Sequence, residues 1–413
     1  MMHLHKNLYG MVQASRMFFL MVRDWLLNPL PLDQGGCGMV WTQCLCDQCV
    51  FYTIHDGDFA ILFFYVDDTG CMSTSLELKD WIFWAIAQRF KVEDKGPLSW
   101  FLGVMVNYQK EQGKMTLSMK ANMVDKLSEF GLQDIKPTSS LYHIKKKKGD
   151  EGLLNDEDAS TYRRMVGCLI WFMMVRPDIM CSTVERTQHM PHPTNQDMVA
   201  CKRIYAYLKG TLDKMLTFSQ EGMSKEANMG VSFMASKDSW SLVSGYVDAN
   251  LAKPMSITGY CFKMGGGAFI ARCKKQPVPS IQTHDSELYS WSMCTCGGIW
   301  LYMALWELNK LFKGQLINGA IVIHGDNAGV IRTVQEQAIS TRARHIALRW
   351  YHFMHAMKHK VLEAHKIGGK FNPANCLSKP PDTPQGFIDE ANDLLGIAWM
   401  DKWNAKVDKP PGW

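Results

Sequence analysis

Short predicted strands that run into acidic residues most strongly constrain the fold of this sequence. Three of them, each with the acids that follow, are Phe59–Val66 before Asp67 and Asp68, Trp240–Val247 before Asp248, and Ala320–Gly325 before Asp326. The longest unbroken apolar runs have only eight residues, whereas a membrane-spanning helix needs about 20. The chain therefore resembles a globular protein in which strands deliver carboxylates to turns, and we expect no membrane association.

Segments with helical periodicity alternate with these strands. The predicted helices are Arg16–Leu27, residues 74–90, Arg163–Met174, Asp197–Leu208 and His284–Trp306. The Asp56-Gly57 step predicts a hairpin turn before Phe59–Val66. In the last part of the chain the predicted order is three strands, a helix, a strand and a helix. This order predicts the α/β fold class, with helices covering a mixed sheet.

Charge and composition suggest where the domains meet. Lys145–Lys148 and the acids after it have no apolar period, so they predict a solvated linker. We predict a first domain over 1–140, a linker and helical connection over 141–235, an α/β domain over 236–395 and a tail over 396–413. Residues 236–413 hold 20 Lys and Arg against 14 Asp and Glu. This mild excess is compatible with a nucleic-acid partner and also with an ordinary solvated surface.

Acids at strand ends are ambiguous when taken singly. An aspartate there is most often a turn or capping residue. Several carboxylates at one site, however, suit Mg²⁺, a hard cation that prefers oxygen ligands. Sites for phosphoryl transfer hold two such cations about 3.5–4 Å apart. The acids therefore predict metal binding only in combination.

The motifs of the first half resemble the reverse transcriptase of copia-type LTR retrotransposons and the connection that follows it. They are, in family order, Asn7–Arg16, Asp47–Phe51, Tyr65–Asp68, Phe101–Gly103, Tyr162–Leu169, Arg176–Asp178 and Tyr207–Thr211. The later motifs resemble the ribonuclease H domain of the same polyprotein. They are Gly245–Ala249, Thr258–Tyr260, Lys274–Gln276, Ser286–Leu288, Trp300–Leu301, Asp326–Asn327, Arg344–Ile346 and Ser378–Pro380. The likeness extends over roughly residues 3–395.

This resemblance implies roles for five acids. Asp67 and Asp68 would be metal ligands of a truncated polymerase palm, an α+β remnant. Asp248, Glu287 and Asp326 would be the catalytic metal ligands of a ribonuclease H-like α/β domain. The implied cofactors are Mg²⁺ or Mn²⁺, two ions per intact site, and the implied partners are a template nucleic acid and an RNA–DNA hybrid.

Two departures from the family pattern lower the expected activity. The polymerase uses another aspartate upstream of the Leu8-Tyr9-Gly10 motif, and this sequence has only seven residues before Leu8. We therefore expect no independent DNA polymerase activity from this chain. At the fourth ribonuclease H acid the sequence has Asn375, whose amide offers an oxygen but no charge. Three acids can still hold metal, so we expect activity to be reduced without being abolished.

Two functional hypotheses remain open at this point. One is residual hydrolysis of RNA in RNA–DNA hybrids by metal-activated water. The other is a non-catalytic nucleic-acid-binding remnant, or a domesticated relic, whose binding weakens with salt. The first residues lack the apolar core of a secretory signal and the 13 cysteines form no framework pattern. We therefore expect an intracellular protein, cytoplasmic or nuclear, with reduced thiols.

Overall fold

The computed structural model describes residues 11–141, 152–220, 234–236, 239–252, 254–335, 347–381 and 383–397. The predicted linker around Lys145–Lys148, the motif residues Arg344–Ile346 and most of the predicted tail lie outside these ranges. The chain divides into two compact units. The first comprises the chain up to Leu102 together with Met303–Leu316, and the second comprises Gly103–Tyr302 and the chain from Ile317. The predicted domain boundaries remain predictions.

The first unit consists of an antiparallel sheet with two helices. The strands are Thr42–Gln43, Val50–His55, Asp58–Tyr65 and Asp68–Ser73, and they pair in chain order. The helices are Ala14–Leu26 and Leu76–Arg89, and a short strand, Trp100–Phe101, follows. Both predicted helices and the predicted hairpin are confirmed within two residues at each end. The core is aromatic and aliphatic, with Phe51, Leu62 and Ile82 among its most buried members.

Residues at the end of the helix Thr283–Leu308 and just beyond it complete this first unit. Leu311 packs with Tyr52 and Ile61 in a small apolar cluster, and Phe312 meets Phe59 edge to face with ring centroids 5.1 Å apart. The Glu307 carboxylate accepts from the Leu45 backbone N–H at 3.0 Å. The sheet of the first unit is therefore partly covered by residues about 250 positions further along the chain.

The apolar run Trp100–Val106 predicts a single strand, but the structure interrupts it. Leu102 and Gly103 both have positive φ, 52° and 78°, and a new strand begins at Val104. A Cβ at Gly103 would lie 2.5 Å from the Trp171 ring. The interruption thus depends on a glycine that permits a left-handed turn against a bulky neighbour, which a run of apolar letters does not reveal.

The first part of the second unit combines a small antiparallel sheet with helices. Its strands are Val104–Gln109, Lys114–Ser118 and Leu216–Ser219. Its helices are Lys120–Glu129, Asp156–Phe172, Met180–Thr187 and Asn195–Gly210. Asn155 and Thr194 cap the second and fourth of these helices with their side chains. The cap at Asn155 explains why the second helix begins seven residues before the predicted start at Arg163.

The rest of the second unit is built on a five-stranded mixed sheet. In spatial order its strands are Gly267–Lys275, Ile257–Met264, Ser244–Asn250, Ile321–Gly325 and Leu362–Lys366. The first three are antiparallel, and the last two run parallel to the central strand Ser244–Asn250. The helices are Thr283–Leu308, Ala328–Gln335, Ala347–Lys358, Asn375–Ser378 and Pro384–Leu394. The predicted α/β class and the order of the first six elements are confirmed.

Two general expectations can be compared with the structure. None of the 13 cysteines forms a disulfide bond. Within the described ranges, no helix combines the length and the apolar character needed to cross a membrane.

Candidate active site

Asp248 lies at the centre of the five-stranded sheet, and its side chain is 1% exposed. The sequence predicts a strand that ends at this acid, but the strand continues to Asn250. Asp248 therefore projects from the face of a central strand and not from a strand end. Its cross-strand neighbour on Ile257–Met264 is Gly259.

Gly259 allows a short helix to close over the sheet beside Asp248. A Cβ at this position would lie 2.8 Å from the Leu377 carbonyl carbon and 2.8 Å from the Ser378 nitrogen. Both atoms belong to the backbone of the helix Asn375–Ser378, which cannot yield as a flexible side chain can. The glycine thereby places Ser378 and Lys379 against the Asp248 carboxylate.

We expect Gly259→Ala to destabilise the second unit by about 1–3 kcal/mol, because the added methyl group overpacks a backbone contact. The free energy of unfolding in urea measures this effect. Gly167→Ala is the matched control, since a Cβ at Gly167 meets no atom within 4 Å. In the helix Asp156–Phe172 that control is expected to be neutral or to stabilise by up to about 1 kcal/mol. Equal effects of the two substitutions would contradict the close approach.

Glu287 comes from the first turns of the helix Thr283–Leu308 and is 4% exposed. A buried amide, Gln276, fixes this end of the helix. Its Nε2 donates to the Ser286 carbonyl at 2.9 Å and to the Thr258 hydroxyl at 3.2 Å, and its Oε1 accepts from Ser280. Gln276 thus ties the helix that bears Glu287 to the strand next to Asp248.

Asp326 directly follows the strand Ile321–Gly325 and is partly exposed. A Cβ at the preceding Gly325 would lie 2.4 Å from the Trp291 ring, so the glycine lets the helix that bears Glu287 approach this strand. Asp248, Glu287 and Asp326 each offer a carboxylate oxygen, and these oxygens lie within 4.8 Å of one another. We call them the three-acid cluster. The structure thus brings together the three ribonuclease H acids that the resemblance implies.

Ser378 and Lys379 complete the surroundings of Asp248. The Ser378 hydroxyl donates to Asp248 Oδ2, and the Lys379 Nζ lies 3.3 Å from the same oxygen. Sequence reasoning did not assign a role to either residue, although both lie in a motif of the resemblance. Lys379 could have been identified from the sequence, because it lies four residues after Asn375, the residue that the resemblance places at the fourth acid.

The carboxylates of the cluster are electrostatically unfavourable as anions. Burial, followed by repulsion from Asp248 and Asp326, raises the pKa of Glu287 to about 9. The pKa of Asp248 is also raised, chiefly by burial, although Lys379 and Ser378 act in the opposite direction. Burial lowers the pKa of Lys379, but attraction to Asp248, Asp326 and Glu287 outweighs it and the pKa is raised. Two buried acids with raised pKa values beside a third carboxylate are typical of a site that binds a cation.

Glu287→Gln is expected to stabilise the metal-free protein by up to about 5 kcal/mol at pH 8, since the folded and unfolded pKa values of the carboxyl group are about 9 and 4.5. The folded-state pKa lies above the unfolded value, so the stability of the wild-type protein falls as pH rises from about 4.5 towards 9. The amide of the variant does not ionise, so the stability of the variant does not fall in this way. The difference in unfolding free energy between variant and wild type is expected to vanish near pH 4.5. Urea unfolding in EDTA at both pH values measures it, with exposed Glu157→Gln as the control. A pH-independent difference would exclude ionisation of Glu287 as the cause.

Asn375, the residue that the resemblance places at the fourth acid, begins the short helix Asn375–Ser378. Its Nδ2 donates to the Gly369 carbonyl at 2.6 Å, while its buried Oδ1 has no hydrogen-bond partner among the described residues. Glu390 lies close enough to Asn375 to interact with it, and burial raises the pKa of Glu390 to about 7. Glu390 does not belong to the three-acid cluster.

The predicted polymerase acids lie in the first unit. Asp67 occupies the tight turn between Asp58–Tyr65 and Asp68–Ser73, and Asp68 pairs with Tyr65 at the end of the hairpin. Both aspartates are exposed. In the part of the chain that the structure describes, no third metal-ligating side chain joins them. Their role as metal ligands stays a prediction of the resemblance.

Comparison with known proteins bears on the resemblance seen in the motifs. No family model matches the chain. It is 24% identical over 406 residues to the retrovirus-related Pol polyprotein from transposon TNT 1-94 of Nicotiana tabacum. This match covers 95% of this chain and 28% of that protein. It is also 24% identical over 379 residues to the Pol polyprotein from transposon RE2 of Arabidopsis thaliana, covering 91% of this chain and 24% of that protein.

Among solved structures, ribonuclease H1 from the archaeon Halobacterium salinarum is similar over 32% of this chain and 89% of its own, with 10% identity and a TM-score of 0.22. That score is too low to support an argument about this chain. The chain spans about a quarter of the length of the two Pol polyproteins. Over 91–95% of its own length it is homologous to copia-type, retrovirus-related Pol polyproteins, which confirms the resemblance that its motifs predict.

Proposed function

We propose that this chain is a reverse transcriptase and ribonuclease H fragment of a copia-type Pol polyprotein, and that it hydrolyses the RNA strand of RNA–DNA hybrids. The observation that carries the proposal is the three-acid cluster, whose carboxylate oxygens lie within 4.8 Å of one another. These acids come from two adjacent parallel strands and one covering helix. Homology to the Pol polyproteins supports the assignment.

The residues fit a divalent cation such as Mg²⁺ or Mn²⁺. All three ligands are hard oxygen donors, and burial, followed by repulsion from Asp248 and Asp326, raises the pKa of Glu287. A cation bound there would supply Lewis acidity, which lowers the pKa of water and offsets charge on the scissile phosphate. Asp248, Glu287 and Asp326 would hold it, while Ser378 and Lys379 orient the Asp248 carboxylate.

DNA polymerisation does not form part of the proposed activity of this chain. Asp67 and Asp68 are exposed at a hairpin end, and no third ligand joins them among the described residues.

A cleavage assay tests the proposed reaction. The purified full chain is incubated with an end-labelled RNA–DNA hybrid in Mg²⁺, in Mn²⁺ and in EDTA, beside RNA–RNA and DNA–DNA duplexes of the same sequence. We expect metal-dependent cutting of the RNA strand of the hybrid alone. Absence of cutting by a folded chain in both metals would contradict the proposal.

One alternative is a binding module without hydrolysis. Asn375 favours it, because asparagine supplies no negative charge where the family pattern has an acid. That alternative predicts that the chain retains the hybrid in a gel-shift assay without cutting it. Its affinity would fall steeply between about 50 and 200 mM salt, as expected for contacts with phosphates.

A further inference from the structure

Asn375 lies between two members of the three-acid cluster. The Ser378 hydroxyl, which donates to the Asp248 carboxylate, lies 3.1 Å from the backbone carbonyl oxygen of Asn375. On the other side, the Asn375 Nδ2 donates to the Gly369 carbonyl at 2.6 Å, and a Cβ at Gly369 would lie 3.0 Å from Asp326 Oδ2. A single residue therefore separates Asn375 from each of these two acids.

The amide oxygen of Asn375 is buried without a hydrogen-bond partner. The residue is 9% exposed, and among the described residues no donor reaches its Oδ1. Buried polar atoms in proteins are nearly always satisfied, so an orphan oxygen indicates a group that binds there. An amide oxygen is a hard donor of the kind that Mg²⁺ and Mn²⁺ accept as a ligand.

Glu390 contacts the same amide from the helix Pro384–Leu394, which packs against the short helix Asn375–Ser378. Its carboxylate accepts a side-chain hydrogen bond from Asn375, and it is attracted by Lys379. Only Nδ2 of the asparagine can donate, so its two hydrogens serve the Gly369 carbonyl and the Glu390 carboxylate. These two acceptors fix the orientation of the amide and leave Oδ1 for another partner.

An acceptor behind a ligand also changes the strength of that ligand. A carboxylate that accepts from the N–H of an amide shifts negative charge onto the amide oxygen. Carboxylates behind metal-ligating side chains act in this way, and they both orient the ligand and raise its basicity. Glu390 stands in this relation to the Asn375 oxygen.

We propose that Asn375 and Glu390 together replace the carboxylate that the resemblance places at position 375. Asn375 supplies a neutral ligand oxygen to a divalent cation, and Glu390 is a positioning residue that orients the amide and polarises it. Glu390 does not itself join the three-acid cluster. The proposal rests on the assignment of that cluster as the metal site of the proposed function.

Affinity for Mn²⁺ tests the proposal without any measurement of activity. Mn²⁺ is titrated into the metal-free full chain at pH 8, and the free ion is measured by electron paramagnetic resonance. Glu390 is ionised at this pH, because burial raises its pKa only to about 7. Glu390→Gln keeps the shape of the side chain but removes its charge, and it is expected to weaken Mn²⁺ binding about tenfold.

Asp389→Asn is the matched control for this loss of charge. It removes one negative charge from the neighbouring position of the same helix, where the carboxylate accepts from Gln385 at 2.9 Å. Because solvent and salt screen this exposed contact, its effect on Mn²⁺ affinity is expected to stay within about threefold. Near-ultraviolet circular dichroism shows whether each variant keeps its packing.

Two further backgrounds show whether Glu390 acts through Asn375. Asn375→Asp places a carboxylate directly at the site, so Glu390→Gln is then expected to change Mn²⁺ affinity by less than about threefold or to tighten it. Asn375→Ala removes the ligand oxygen and is expected to weaken binding about tenfold, after which Glu390→Gln adds little. A purely structural role of Glu390 predicts the same loss in every background.

The outcomes distinguish this inference from the proposed function. No loss in Glu390→Gln, an equal loss in the Asn375→Asp background, undiminished binding by Asn375→Ala, or no uptake of Mn²⁺ by the wild type would overturn the role of Glu390. Hybrid cleavage with Mn²⁺ affinity that Glu390→Gln leaves unchanged would retain the proposed function and reject this inference. A loss in Glu390→Gln that Asn375→Asp rescues, without any cleavage, would support the inference and reject the proposed reaction.

Discussion

Asp248→Asn is expected to abolish metal-dependent cleavage of the RNA–DNA hybrid, with a loss of at least about 10³-fold in rate. Asp248 is the most buried member of the three-acid cluster and the one that Ser378 and Lys379 both contact. Asparagine preserves the shape of the side chain and one oxygen but removes the charge that attracts a cation. The rate of product formation under single-turnover conditions measures the effect.

Two comparisons make this result specific to the site. Asp125→Asn changes an exposed aspartate in the helix Lys120–Glu129 of the same unit and is expected to leave the cleavage rate unchanged. Affinity of Asp248→Asn for the hybrid, measured in EDTA, is expected to stay within about threefold of the wild type, since Asp248 is buried. Undiminished cutting by Asp248→Asn would show that the observed nuclease does not use this cluster.

Local features of the sequence predict the elements well. The Asp56-Gly57 turn has positive φ at both residues, 51° and 89°, which is the conformation that this dipeptide favours in a hairpin. The helical periods around Asp197 and Glu287 also correspond to real helices. In each case the signal and the structure that it predicts lie within the same few residues.

Contacts between distant residues could not be predicted in this way. Ser378 and Asp248 are 130 positions apart, and no periodicity of the sequence relates them. Gly259 is informative only once the short helix is seen above it. The strand Leu362–Lys366 was also missed, although its apolar residues alternate at 362 and 364 in the manner of a half-buried strand.

The resemblance supplied what local patterns lacked at the site. It groups Asp248, Glu287 and Asp326 as ligands of one site, whereas strand prediction alone wrongly places Asp248 at a strand end. It also directed attention to Asn375. It gave no role to Lys379, because the charge of a lysine near three acids matters only when their distances are known.

The motif Arg176-Pro177-Asp178 has a structural role that gives the second prediction with a large effect. Arg176 is 1% exposed and donates to both carboxylate oxygens of Asp178, from Nε at 2.9 Å and from Nη2 at 2.7 Å. It also donates to the Thr211 carbonyl at 3.1 Å, and the Tyr207 hydroxyl donates to Asp178 at 2.5 Å. Two motifs of the connection, separated by about 30 residues, thus meet in one buried network.

Arg176→Met is expected to destabilise the second unit by about 3–5 kcal/mol, because it leaves the Asp178 carboxylate buried without its counterion. The double variant Arg176→Met with Asp178→Leu is expected to lose less than the single variant, since it removes the stranded charge as well. Urea unfolding measures both. Arg164→Met, which breaks an exposed pair with Glu129, is the control and is expected to cost at most about 1 kcal/mol.

The single and double variants can be compared by their free energies of unfolding. The sign of that difference shows why Arg176→Met destabilises the protein. If a buried carboxylate without its counterion dominates, stability rises when Asp178 is removed in the Arg176→Met background. If instead the loss comes from the packing of Arg176 over the Tyr207 ring, at 5.3 Å from its centre, the double variant is as unstable as the single one or worse. The first outcome would establish that the connection is held together by a charge pair whose partners depend on each other.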